Sequence, residues 1–547
     1  MRRRTPGTTV AGASSWKVRT LFGSQSHLLR SAIMRGVSTA LVASVVLLIA
    51  IAFRFGIDRG DDTLVPNRGY GQFMDAICGL ISMEKYGTGR YVCTSGATAM
   101  MKAVGLSYDD DTLALFGKTL PEWLSDTAFL NNAIRAAFSR AAPPWDGQLR
   151  GNGWGADSGY MDFVELSFAL FGKKVEALYL NFFLLLFISS MLFCAQFSER
   201  HFAIFTLAAF AYALCFCFCY NLNDLQLVSA NSPRLLSILA IPVLLHVMFL
   251  IMYGYPQSTK TVLLLIPQGL ILTIAGDARS LAYWALIAIA ILCGAFIVVS
   301  RSRHQRLRLR DMWLRCWSGV LVIGCAAFGM TIGAVTADAR IASTGTMRLH
   351  SLWEPLYYDL QLHPDWKLKY AALHHGATGD GTTFAAVENY RELHHISDPL
   401  TQVNFEKYTR AVYIDFVLND PWYMIELKYY NLITMFNCTQ SFLIRMWKNL
   451  NWRFGLLGAI AAVTVLVQIR NEAERIDKVT WSAAALGFFS LLAAGEIWAT
   501  VVDMDLLADS QILAMSATLV AAFWLVVAGG VVIGHMASDR DRPSAAI

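Results

Sequence analysis

Acidic side chains crowd together directly after the first long apolar segment of the chain. Asp58, Asp61 and Asp62 follow that segment at once. Carboxylates at such a place repel one another unless they bind a cation or one of them works as a base. The three residues therefore predict either a site of acid–base or cation chemistry, or a solvated loop at the end of a helix.

A second group of candidates lies in the stretch APPWDGQLRGNGWGADSGY. Trp145 and Trp154 stand among Gly and Pro residues, where the backbone can come close to a ligand. Each indole could stack on a sugar ring or rest at a membrane interface. Asp157 then suits the N-cap of a helix over SGYMDFVELSFALFGKK, which Gly172 is expected to end.

A third group combines basic and aromatic residues. Arg348 and His350 precede Trp353 and Glu354 in the segment TMRLHSLWEPLYYDLQ. Guanidinium and imidazole groups in such a setting are the kind that hold a phosphate.

Two Asp-Pro pairs follow in the same part of the chain. At Asp398-Pro399 and Asp420-Pro421, an N-cap residue precedes a Pro at the first helical position. They predict helices at about 399–418 and 421–436. The second helix is aromatic, and we expect it to lie against a membrane.

The cysteines and histidines give weaker indications. Cys78 and Cys93 could form a disulfide in an oxidising compartment, whereas most other cysteines fall in apolar segments. No motif names a metal, so a divalent cation stays an open expectation. The net charge of +5 sits mostly in short basic stretches beside apolar runs, so it indicates membrane orientation and gives no support for nucleic-acid binding.

The elements that must position these residues are membrane helices. The chain has 547 residues, of which 55% are apolar and 16% charged, and this composition argues against a soluble protein. Apolar runs of about 20 residues match the thickness of a bilayer. Ten runs qualify, at about 36–55, 177–197, 202–220, 235–253, 261–275, 281–300, 317–337, 454–469, 481–501 and 512–534. The fold class is therefore an all-α polytopic membrane protein with about ten transmembrane helices.

Basic residues set the orientation, because Lys and Arg are enriched in cytoplasmic loops. The basic segments all fall inside if both termini are cytoplasmic, although an Arg- and Ser-rich N-terminus also describes a mitochondrial transit peptide. The predicted parts are a basic tail (1–35), a first span (36–55), external loop 1 (56–176), spans two to seven (177–337) with a basic loop at 301–316, external loop 2 (338–453), spans eight to ten (454–534) and a cytoplasmic tail (535–547). Two long loops carrying amphipathic helices are where function is expected.

This arrangement resembles the GT-C class of membrane glycosyltransferases, which includes protein O-mannosyltransferases and aminoarabinose transferases. The likeness rests on Asp58, Asp61 and Asp62 after the first span. It also rests on the run from Asp157-Ser-Gly-Tyr160 to Leu170-Phe171-Gly172, which is similar to the GY…LFG run before the second span of many bacterial members.

The resemblance implies transfer of a sugar from a polyprenyl-phosphate donor to an acceptor outside a bacterial inner membrane. Asp61 or Asp62 would be the base, with Asp157 as a second carboxylate. Arg348 and His350 would neutralise the leaving phosphate, with or without a divalent cation. Trp145, Trp154 and Trp353 would line the sugar site, and membrane lipid would surround the protein.

Two other functions stay open on the sequence. A transporter or flippase of a glycan or lipid precursor would need polar groups inside the membrane, for which His246 and Glu496 are the candidates. A non-catalytic membrane assembly protein would need only the spans and the external loops.

Overall fold

The computed structural model describes residues 127–139, 158–198, 233–255, 257–278, 284–302, 309–344, 353–360, 381–398 and 402–431, with a few single positions besides. Every regular element in these ranges is a helix, and no strand occurs among them. Four of the described helices are long and apolar enough to cross a membrane. The all-helical class is thereby confirmed for this part of the chain. The first, eighth, ninth and tenth runs, and all but three positions of the third run, lie outside the described residues, so a total of about ten spans stays a prediction.

The first three helices that the structure describes follow one another along the chain. These are α1 (Thr127–Ser139), α2 (Ser158–Phe171) and α3 (Glu176–Phe197). Gly172 ends α2 in the left-handed conformation, with φ +86°, and its N–H bonds to the carbonyl of Phe168 at 2.9 Å. The predicted end of this helix is therefore confirmed, and the second apolar run, 177–197, is a helix that is long and apolar enough to cross a membrane.

Asn131 of α1 forms hydrogen bonds with the start of α3. Its side-chain amide donates to both oxygens of Glu176, at 3.1 and 2.8 Å, and its Oδ1 accepts the backbone N–H of Val175 at 2.8 Å. Helix ends leave backbone N–H groups without intrahelical partners, so this contact satisfies a donor that burial would otherwise penalise.

The next helices continue the bundle. They are α4 (Ala240–Tyr253), preceded by a 3₁₀ turn at Pro233–Leu239, then α5 (Thr259–Ala278) and α6 (Trp284–Ser302). Ser258 caps α5, because its Oγ accepts the N–H of Thr261 at 3.2 Å. The Pro267 of the fifth run raised the alternative of a re-entrant segment. The structure instead has one continuous helix with Pro267 inside it.

Helix α7 (Leu309–Thr344) is longer than the sequence indicated. The basic stretch 301–316 was predicted to be a loop, but its second half, from Leu309, forms the first turns of this helix. External loop 2 was predicted to begin at 338, yet the helix continues to Thr344. The apolar window Met312–Gly333 marks the candidate span, and polar turns extend it at both ends.

Helices α5 and α7 pack closely along two rows of small residues. A methyl group built at Gly329 would come within 2.5 Å of Thr273 Oγ1, and one at Gly269 would come within 2.6 Å of Cys325 Cβ. Both rows advance by four residues, so the helices touch along one face in parallel register. Small residues that let backbones approach are the usual basis of helix association in membranes.

The described part of loop 2 is a separate group of helices with its own core, called here the loop 2 unit. It comprises α8 (Trp353–Asp359), α9 (Gly381–Leu393), α10 (Gln402–Asn419), α11 (421–431) and the single position Trp366. Its main cluster places Tyr357, Trp366, Phe416 and Tyr423 in ring-to-ring contact.

The two Asp-Pro predictions have different outcomes. Asp420 caps α11 as expected, with Oδ1 accepting the N–H of Tyr423 at 3.1 Å. The helix predicted at about 399–418 is present as α10, but the prediction that Asp398 caps it is wrong. Helix α10 begins later, at Gln402, and Asp398 instead accepts the hydroxyl of Tyr408 at 3.3 Å.

Candidate functional site

Most of the predicted site residues lie outside the described part of the chain. Trp353 is the exception, and it begins α8. The others are Asp61, Asp62, Asp157, Trp145, Trp154, Arg348 and His350. Their roles therefore stay predictions, and the described geometry bears on the surroundings of Trp353.

Trp353 lies against two residues of α10. Its ring is 5.9 Å from the ring of Tyr413, and the guanidinium carbon of Arg410 lies 5.5 Å from the Trp353 ring centre. Arg410 is exposed, whereas Trp353 and Tyr413 are half-buried. The cluster thus presents a cation held over an indole at the surface, an arrangement that can pair with an anionic oxygen beside an apolar ring.

A charged pair ties the end of α8 to α11. Asp359 is fully buried, and it accepts hydrogen bonds from Lys428 Nζ and from Asn431 Nδ2, the latter at 2.9 Å. The neighbouring carbonyl of Leu360 accepts the hydroxyl of Tyr423 at 2.7 Å. A buried carboxylate needs such partners, so this pair fixes α8, and with it Trp353, relative to α11.

Two tyrosines of this unit keep their protons more firmly than a free phenol. Burial, and to a lesser extent the charge of Asp359, raises the pKa of Tyr413. Burial also raises the pKa of Tyr357. At neutral pH the Tyr413 hydroxyl is therefore a hydrogen-bond donor beside Trp353 and not a base.

Sequence reasoning found Trp353 but missed Arg410 and Tyr413. These two residues stand three apart on one helix, so they share a side of α10. Nothing local in the sequence links them to Trp353, which reaches them only through the packing of α8 on α10.

A second polar cluster lies inside the membrane bundle, where α3, α4 and α5 meet. Ser189 Oγ donates to Gln268 Oε1 at 2.6 Å, and Gln268 Nε2 donates to the backbone oxygen of Ser189 at 2.9 Å. The same Nε2 lies 3.1 Å from His246 Nδ1. His246 was a sequence candidate for an intramembrane group, while Ser189 and Gln268 were missed.

The geometry fixes the tautomer of His246. A carbonyl oxygen only accepts, so the Gln268 atom facing the Ser189 carbonyl must be its nitrogen. That nitrogen offers its second hydrogen to His246 Nδ1, which must then be the acceptor, leaving the ring proton on Nε2. Nε2 is fully buried and has no hydrogen-bond partner within the described residues. The ring also meets Phe193 and Phe197 edge-on, at 5.8 and 5.3 Å.

The carboxylate of Asp277 lies at the C-terminal end of α5, opposite the end that Ser258 caps. A methyl group built at Gly333 of α7 would come within 2.7 Å of Asp277 Oδ2, and Gly159 of α2 lies directly against Asp277. The residue therefore sits where α2, α5 and α7 converge. In the predicted orientation this end of the bundle faces outward.

The described residues contain no group of three or more His, Cys, Asp or Glu side chains placed to hold a metal ion. The expectation of a divalent cation concerned Asp58, Asp61 and Asp62 or the phosphate beside Arg348 and His350, all of which lie outside the part of the chain that this observation covers.

Comparison with known proteins adds no relative. No protein-family model, no curated protein and no solved structure matches the chain. In the part of the chain that the structure describes, the fold is all-helical with four candidate membrane-spanning helices, and any particular activity is a matter of proposal.

Proposed function

We propose that the chain is a membrane glycosyltransferase that moves a sugar from a polyprenyl-phosphate donor to an acceptor at the outer face of a bacterial inner membrane. One observation carries the proposal furthest. Helix α2 ends at Gly172 and leads through three residues into the span α3, which is the order of elements that the GT-C resemblance implies. The surface cluster of Trp353, Arg410 and Tyr413 supports it with groups suited to a sugar phosphate.

The proposed chemistry is a displacement at the anomeric carbon. Asp61 or Asp62 takes the proton of the acceptor hydroxyl while the bond from the sugar to the phosphate oxygen breaks, and a positioned base typically contributes about 10²–10⁴-fold. The departing lipid phosphate carries negative charge, which Arg348, His350 or a divalent cation would stabilise. Asp157 is the second carboxylate. Trp145, Trp154 and Trp353 would line the sugar site.

The test is transfer of radiolabelled sugar by the purified protein in lipid nanodiscs, with a panel of polyprenyl-phosphate sugars as donors. We expect one donor to be consumed, and the double variant Asp61→Asn/Asp62→Asn to lose turnover by at least about 10²-fold, because the base is gone. An unchanged rate in the double variant would remove Asp61 and Asp62 from the site. No turnover with any donor, from folded protein, would overturn the proposal.

Arg410 allows a matched comparison within the same assay. Arg410→Gln removes the cation beside Trp353, whereas Lys407→Gln removes another exposed cation of α10. We expect Arg410→Gln to raise the KM for the donor more than Lys407→Gln does. Equal effects of the two variants would exclude a specific contact between Arg410 and the phosphate.

A second candidate function is transport of a glycan or lipid precursor, and the cluster of Ser189, His246 and Gln268 favours it. Ionisable residues inside a membrane are costly and are commonly found on substrate or proton paths. The test is flux of a labelled lipid-linked glycan across proteoliposomes containing wild type, His246→Gln or Glu496→Gln. Flux that both variants abolish while sugar transfer stays absent would favour transport.

A further inference from the structure

Within the described residues, helix α11 has one largely exposed side, most of whose residues are aromatic or aliphatic, with the exposed carboxylate of Glu426 at its edge. Trp422, Ile425 and Tyr429 are 72%, 58% and 65% exposed, and Ile433, which is also helical, is 39% exposed. Steps of three or four residues bring these positions onto a single side. Leu418, at the end of α10, is 75% exposed and precedes them. These five residues are called here the apolar face of α11.

The opposite side of α11 belongs to the core of the loop 2 unit. Tyr423 and Leu427 are buried with Trp366 and Phe416, while Lys428 and Asn431 bond to Asp359. Helix α11 therefore cannot turn its apolar face inward without breaking that core. Soluble proteins seldom leave a contiguous apolar patch of this kind uncovered.

The chain on both sides of the unit places it near a bilayer. Helix α7, which contains the candidate span Met312–Gly333, ends at Thr344, and α8 begins at Trp353. The eight intervening residues reach at most about 28 Å when fully extended. Further along, the eighth predicted span begins at 454. The unit is thus tethered between one candidate span and one predicted span, which keeps it close to the membrane.

The composition of the face also fits lipid. Trp and Tyr are enriched where hydrocarbon meets water, because each ring has an apolar body and a polar group at its edge. A helix that lies in this interface needs a wet side and an apolar side, and it need not be long.

We propose that the apolar face of α11 is a membrane-seating surface, so that α11 lies parallel to the bilayer with Ile425 toward the acyl chains. The surface would hold the Trp353 cluster at a fixed height over the lipid headgroups, through the buried contact of Asp359 with Lys428. This inference does not depend on sugar transfer, since a transporter or an assembly protein would seat the unit in the same way.

The test measures the surroundings of a spin label in the full chain, reconstituted in phosphatidylcholine–phosphatidylglycerol nanodiscs. The label is attached to p-acetylphenylalanine introduced at Ile425 or Tyr429, which leaves the native cysteines unmodified. The matched control is the same substitution at Glu388, an exposed residue of α9. Collision with oxygen, which dissolves in lipid, is compared with collision with a water-soluble nickel chelate.

We expect the labels at 425 and 429 to have an oxygen-to-nickel collision ratio several-fold higher than the label at 388. A ratio equal to that of the control would mean that the face lies in water. Low collision with both reagents would mean that another protein surface covers it. Either result would overturn the proposal. Circular dichroism of the three labelled proteins in the nanodiscs should show the same helical content. The comparison is then made on folded protein.

Discussion

At the scale of single residues, Gln268 is the centre of a hydrogen-bond network between membrane helices. Its amide joins the backbone and hydroxyl of Ser189 to the ring of His246, and so connects three membrane helices. Among these three residues only His246 was evident from the sequence, because an ionisable group in an apolar run attracts notice. Ser and Gln occur too often in membrane helices for their type alone to indicate a network.

Removing this amide should weaken the bundle. We expect Gln268→Leu to lower the free energy of unfolding by about 0.6–1.7 kcal/mol, which is the range measured for hydrogen bonds between membrane helices. The measurement is the thermal midpoint in detergent. Leu270→Ala is the control, since Leu270 is on the same helix but largely exposed. A midpoint no lower for Gln268→Leu than for Leu270→Ala would contradict the network.

The buried tyrosines of the loop 2 unit predict a loss of stability at high pH. The pKa of Tyr357 is raised by burial, while an unfolded tyrosine titrates near 10. The protonated phenol therefore stabilises the fold fully below about pH 10, and that contribution is lost as the pH rises through the raised pKa.

Unfolding midpoints between pH 8 and pH 11 test this effect. The unfolding midpoint of the wild type should decrease as the pH rises above about 10. It should decrease less steeply in Tyr357→Phe, which has no phenol proton to lose. Tyr429→Phe, a change at an exposed position, serves as the control and should follow the wild type. Parallel curves for Tyr357→Phe and wild type would show that Tyr357 does not contribute.

At the scale of elements, the contact between α5 and α7 depends on a register that neither sequence reveals alone. Each helix shows small residues at intervals of four, but many membrane helices do. Which row meets which follows from the paired positions 269 with 325, 273 with 329 and 277 with 333. By contrast, α3 was predicted almost to the residue. An apolar run of about 20 residues between the charged Glu176 and Arg200 can be interpreted only as one apolar helix.

Two glycines of α7 give a direct test of this contact. Gly329→Val places methyl groups against Thr273, whereas nothing lies within 4 Å of the position that a Cβ would take at Gly324. Both substitutions change the helix propensity in the same way, so their difference isolates the clash. We expect Gly329→Val to cost about 1–3 kcal/mol more than Gly324→Val, as overpacking does. Equal unfolding midpoints would disprove close packing of the two helices.

At the scale of the whole molecule, the orientation in the membrane stays a prediction, because both ends of the bundle carry basic residues. Arg200 lies over the Tyr253 ring and Arg315 beside Gly254, which places both cations at one end. Asp277 and Glu176 lie toward the other end, with α2, and so do the exposed Lys173 and Lys174. Basic residues prefer the cytoplasmic side, and the end that carries the arginines is the one predicted to face inward.

Impermeant thiol labelling tests this orientation. Lys174→Cys and Gln257→Cys place a thiol in exposed turns at opposite ends of the bundle. In sealed right-side-out vesicles, we expect the reagent to label the cysteine at 174 and to spare the one at 257, with wild type as the blank. Inside-out vesicles should show the reverse. Labelling of 257 alone in right-side-out vesicles would invert the topology.

The length of α7 has a mechanical consequence. Its 36 residues span about 54 Å, whereas the hydrocarbon layer is about 30 Å thick. In a bilayer a helix of this length either tilts or extends past the lipid, and its candidate span ends at Gly333, before the last turns. Helix α7 packs against α5 at Gly329 and Gly333, so a change of tilt at that contact would be carried along the helix. A small change of tilt among the packed spans would become a larger sideways displacement at Thr344, where the chain leaves for the loop 2 unit.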